Sequence, residues 1–227
     1  FNELLSGLTY SVSLSNPGAL VALFAVGILS DIGVPFFFVL ETFLFFASYY
    51  VGPLSAPVLL IVLIGVIIVI AAVVLFLGSF GLLHVGPFDG REIVDTPVYQ
   101  RYGDAVLDTG AVPYRDFSLE YPPGALPVFI LPSLAPAGDY RTAFEVVMLL
   151  CGAAAAAFVV LALAASGADP RRLYGAAVLA GIAPLALGSV VLTRFDLWPA
   201  ALTAGALAAF AADRSRLGFA ALGIAVA

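Results

Sequence analysis

Three short stretches of this chain carry side chains suited to acid, base or anion-binding chemistry. The first is Asp95-Thr-Pro-Val-Tyr99. A carboxylate there, soon after a long apolar run, has the chemistry of a general base, which takes a proton from a hydroxyl as that hydroxyl attacks. The same pattern also starts helices, because an Asp oxygen ahead of a first-turn proline caps free backbone N–H groups. Both roles fit Asp95. The second stretch is VPYRDFSLEYPPG, residues 112–124. Pro122 and Pro123 fix their own φ and push the residue before each towards extended geometry, so the turn is rigid and holds Glu120 and Tyr121 in one place. Arg115, like Arg141 further on, carries a guanidinium that forks onto phosphate oxygens and equally well onto a neighbouring acid. The third stretch is Thr193-Arg-Phe-Asp-Leu-Trp198, an arginine and a carboxylate among aromatic residues between two apolar runs. Phe195, Trp198 and a snorkelling Arg194 fit an interfacial belt. An ionisable Asp196 at membrane depth is costly, which points to function or to an ion pair with Arg194 or a loop acid.

The elements that must position these residues follow from composition. The chain has 227 residues, of which 63% are hydrophobic and 11% charged, and its mean hydropathy is +1.11. Such values belong to an integral membrane protein, whose spanning segments must be helical because hydrocarbon offers the backbone no partner. The expected fold is all-α: a polytopic helical bundle with a long extracytoplasmic loop carrying short interfacial helices. Apolar windows predict crossings at 57–83, 143–166, 173–192 and 197–212, with another beginning at 217. Residues 18–52 are apolar but broken by Asp31, Gly33, Pro35 and Glu41, a pattern of two short or re-entrant helices. The chain starts without Met and stops inside an apolar run, so it reads as a fragment truncated at its C-terminus.

Arginine placement gives the orientation. Arg171 and Arg172 mark one short loop and Arg214 and Arg216 another, two crossings later, so both are expected on the cytoplasmic side. Residues 84–142 then face outward, with eight acids against four arginines. The formal charge of −6 and the lack of a concentrated basic face argue against a nucleic-acid partner. The single cysteine, Cys151, makes neither an internal disulfide nor a Cys-based metal site, and reads as apolar packing. His84, at a span's end, reads as interfacial. Residues 98–107 place Tyr99, Tyr102 and Val106 on one helical face, predicting a short amphipathic helix that Gly110 ends.

Residues VDTPVYQRYGDAVLDTGAVPYRDFSLEYPPGALPVFILPSL, followed by VLTRFDLWPAAL, resemble the glycosyltransferase C superfamily, in particular its actinobacterial polyprenyl-phosphate-mannose-dependent mannosyltransferase branch. The resemblance covers about residues 57–227. It implies an inverting transfer of a hexose, mannose above all, from a polyprenyl-phosphate donor to a lipid or glycan acceptor at the extracytoplasmic face of a bacterial cell membrane. It further implies Asp95 as the catalytic base, with Arg115, Arg194 and Tyr99 at the donor phosphate and Glu120, Tyr121 and Asp196 positioning the loop. No cofactor or metal is implied, and the loop has no Asp-x-Asp pair for a metal-bound nucleotide sugar. Residues 1–56, with SDIGVPFFFVLETFLFFASYYVGP, resemble instead part of the DedA family, or form an extension. That resemblance implies the alternative function, a membrane transporter or scramblase of lipid carriers resting on Asp31 and Glu41. An inactive membrane fragment is the third reading.

Overall fold

The computed structural model describes residues 56–85, 94–136 and 138–226. All regular elements among them are helical. In chain order they are α1 (Ala56–Leu82), α2 (Thr96–Thr109), α3 (Leu126–Ile130), α4 (Tyr140–Ala165), α5 (Pro170–Leu187), α6 (Val190–Thr193), α7 (Leu197–Ala211) and α8 (Ser215–Val226). Single 3-10 turns, Pro123–Ala125 and Leu131–Leu134, flank α3. The chain divides into two units, Phe1–Val66 and Ile67–Ala227. Of the first, only the opening turns of α1 are described. Residues 1–55, with Asp31 and Glu41, lie outside the described residues, and with them the segment expected to resemble the DedA family.

Two helices are long and apolar enough to cross a membrane. α1 has 27 residues and α4 has 26, and at about 1.5 Å per residue each exceeds the roughly 30 Å of hydrocarbon. Their most apolar windows are only 22% and 28% buried within the protein. The core helix of a soluble protein would bury most of such a surface. Here Ile67, Val74 and Leu150 stay exposed, a surface compatible with lipid. The other predicted crossings are shorter. The expected single span at 173–192 is two pieces, α5 and α6. Pro184 removes a backbone donor near the end of α5, and Gly188, at φ 63° and ψ −148°, then takes a conformation that suits glycine alone.

Small residues let these helices approach closely. The Ser79 hydroxyl of α1 donates to the Gly181 carbonyl of α5, and a Cβ at Gly181 would overlap Leu75. Gly152 of α4 lies against the Phe76 ring of α1, and Gly205 of α7 against Phe158 of α4. Tyr140 begins α4 beside α3, since its hydroxyl donates to the Phe129 carbonyl at 3.2 Å. α4 and α7 both start at this end and pack along each other. The turns that carry Arg171 and Arg172, and Arg214 and Arg216, therefore close the far end of the bundle.

Candidate functional site

α2 begins one residue beyond Asp95 and has a proline in its first turn. Its buried residues, Thr96, Tyr99 and Gly103, recur every three to four positions, the spacing of one helical face. Gly103 lets that face sit directly on α3, where a Cβ would overlap the Phe129 carbonyl and the Ser133 hydroxyl. Gly110 ends the helix in the left-handed region at φ 66°, its N–H bonded to the Ala105 carbonyl. Asp95 stands one turn before Tyr99, four residues on, and so on the same side. Its carboxylate makes no cap hydrogen bond.

That carboxylate meets Arg194 instead, with Nε 3.0 Å from Oδ2. The contact is coulombic: the buried Nε has no hydrogen-bond acceptor, so its N–H does not aim along the line to Oδ2. Beyond this ion pair, the guanidinium has no partner among the described residues. Arg194 lies between α6 and α7 in extended geometry, φ −117° and ψ 150°. Asp196 follows at the start of α7, exposed and again without a cap bond.

Beneath the pair is a nest of rings. Tyr99 is 1% exposed, stacked on Phe129 at 4.5 Å and 13°, with Phe144 at 5.5 Å. Phe195 and Tyr121 meet its ring edge-on at 5.9 and 5.5 Å. The Tyr99 phenol is pushed well above its usual range, by burial first, then by the neighbouring Tyr121 hydroxyl and by the nearby Asp95 and Asp196 carboxylates. It is thus a neutral phenol, and too buried to face a ligand phosphate broadly.

The 112–124 stretch folds on itself before it reaches this nest. The Val112 N–H donates to Asp116 Oδ2 at 2.8 Å, and Arg115 donates through Nε and Nη2 to both Asp116 oxygens at 2.8 Å. This fork holds the Asp116 carboxyl below the usual carboxylate range, with the Val112 N–H adding to it. Tyr114 takes a positive φ of 65°, rare for a non-glycine residue. It is held there by its N–H to the Phe117 carbonyl at 3.0 Å and its hydroxyl to the Tyr121 carbonyl. A hollow of about 370 Å³ in this loop is lined by Tyr114 to Leu119, and includes neither Asp95 nor Arg194. The YPPG turn is tied down at its other end, where Trp198 Nε1 donates to the Gly124 carbonyl at 2.9 Å.

Of the residues singled out in the sequence, Asp95, Arg194, Tyr99, Tyr121 and Asp196 therefore share one neighbourhood. Arg115 instead engages Asp116 in its own turn, with 71% of its side chain exposed, and Glu120 is exposed on the loop surface. Arg141 donates to Glu145 at 3.0 Å, and Glu145 also meets His84 Nε2 at 3.1 Å, tying α1 to α4. Sequence reasoning passed over Phe195 and Phe129 as site-building residues. A signal for Phe195 was present in Arg194-Phe-Asp196, a ring set directly between two charged residues where an apolar run begins. Among the described residues, no three His, Cys, Asp or Glu side chains group as metal ligands. In comparisons with known proteins, no family model matches this chain, and neither a curated protein nor a solved structure does so significantly.

Proposed function

We propose that this chain is a multi-pass membrane glycosyltransferase, or part of one, that moves a hexose such as mannose from a polyprenyl-phosphate carrier to a lipid or glycan acceptor at the extracytoplasmic face. The observation that carries this reading is the meeting of Asp95 and Arg194 at 3.0 Å. Asp95 is a carboxylate at a helix start that is not used as a cap. Arg194 has terminal nitrogens left over for an anion. The two charges suit the two ends of one displacement. The acceptor oxygen forms a bond to the anomeric carbon while its proton passes to Asp95, and the bond from that carbon to the phosphate oxygen breaks with its electron pair leaving on the phosphate. Arg194 stabilises the charge that develops there, as a fixed cation does in a partly buried site. The arginine-bearing turns at the far end of the bundle fit a cytoplasmic location, which supports reading the Asp95 end as the outer one.

The test is donor dependence. Membranes containing the chain are incubated with labelled mannose on polyprenyl phosphate or on a nucleotide, each with and without a chelator. The reading expects label to pass from the lipid donor alone and to be unaffected by the chelator. Transfer only from the nucleotide, or none from the lipid donor, would overturn it.

A further inference from the structure

The Asp95–Arg194 contact does not fix its own geometry, because the Nε–H has no acceptor and the two residues stand on segments far apart in the chain. Their separation is set by what lies between those segments. Tyr99, one turn after Asp95, and Phe195, next to Arg194, form two sides of a ring triangle. Tyr121 is the third. It meets Tyr99 at 5.5 Å and 76° and Phe195 at 5.0 Å and 78°. Phe129 forms the floor, touching Tyr99 at 4.5 Å, Tyr121 at 5.4 Å and Phe195 at 5.4 Å. Tyr121 is itself held on both sides: its carbonyl accepts the Tyr114 hydroxyl, and two prolines fix the backbone that follows. Tyr99 and Phe195 also meet edge-on at 5.9 Å, and edge-on contacts have preferred geometries, so removing the Tyr121 ring takes one packing partner from each and lets the pair shift.

We propose that Tyr121 is a positioning residue, whose ring packs edge-on against both the Tyr99 and the Phe195 rings and so holds the spacing of the carboxylate and the guanidinium above them. This gives the opening of the YPPG turn a role distinct from contact with substrate, and it rests on the sugar-transfer reading. In that reaction a misplacement of about 1 Å between base and phosphate site lowers turnover rather than binding.

The test compares kcat and donor KM in the membrane-embedded protein. Tyr121→Leu is expected to lower kcat about 10- to 100-fold with donor KM changed less than about 3-fold. Tyr121→Phe keeps the ring and should restore kcat to within about 3-fold of the original. In an Arg194→Ala background there is no pair left to position, so Tyr121→Leu should add less than about 3-fold. Should Tyr121→Leu not fold, Phe195→Leu removes the facing ring and should give the same split between kcat and KM. A normal kcat in the leucine variant, or its full effect persisting without Arg194, overturns this positioning role. The transfer reading fails separately, if Asp95→Asn and Arg194→Ala both transfer sugar at the original rate.

Discussion

Asp95 and Asp169 stand in the same local setting at opposite ends of the bundle, each one residue before a helix with a proline in its first turn, yet their carboxylates do different things. Asp169 accepts the Arg171 N–H at 2.7 Å, an ordinary N-cap with extended ψ of 141°. Asp95 has ψ −10° and caps nothing. Turned into helical geometry, its backbone carries the side chain away from the helix's own N–H groups and towards Arg194. A residue type that most helices use as a cap is here turned to an ion pair with Arg194, while its counterpart at the arginine-rich end caps its helix.

The largest effect expected from this contrast is at the partner of Asp95. Arg194→Ala should reduce transfer about 10²-fold, the usual cost of one removed charge-stabilising donor, and Arg194→Lys should recover only part of it because an ammonium lacks the planar fork. Measured rates near the original for the alanine variant would make the ion pair a structural clasp. Next in size is the cap. Asp169→Ala should cost about 1 kcal/mol of stability, read as a lower unfolding temperature in detergent, with transfer unchanged. Asp95→Ala should show the reverse, because no cap bond is lost. Equal destabilisation by the two alanines would erase the distinction between the helix starts.

The smallest expected effect concerns alkaline stability. The Tyr99 phenol is raised in the folded protein, so the folded state holds its proton more tightly than the unfolded one. Its contribution is fully present below about pH 10, the ordinary phenol value, and declines above it as the unfolded chain ionises. Trp198, the single tryptophan, reports unfolding by fluorescence. Tyr99→Phe should flatten the alkaline fall in stability. An unchanged fall would assign it to other groups.

Much of the fold was legible because long apolar windows and glycine stops are local signals. α1 and α4 follow from the length of their apolar windows, and the end of α2 at Gly110 from the left-handed preference of glycine. The break at Gly188 was not legible. Residues 173–192 are apolar throughout, and hydropathy does not register a backbone angle. The site divides in the same way. Asp95, Arg194 and Tyr121 stand out by residue type, but their meeting depends on how α2, the YPPG turn and the start of α7 fold onto Phe129, which no sequence spacing encodes. Arg115 shows the converse: its neighbour Asp116 lay in plain view in the sequence, and the two form a local fork.

The central claim is that the Asp95 carboxylate takes a proton rather than merely holding Arg194. It is tested most directly by measuring kcat and unfolding temperature on one preparation of Asp95→Asn, which keeps the shape of the side chain and removes its basic oxygen. The account predicts a kcat about 10²-fold or more below the original, with an unfolding temperature within error of it. Transfer at the original rate would contradict the claim, as would a loss of activity that merely follows a loss of fold.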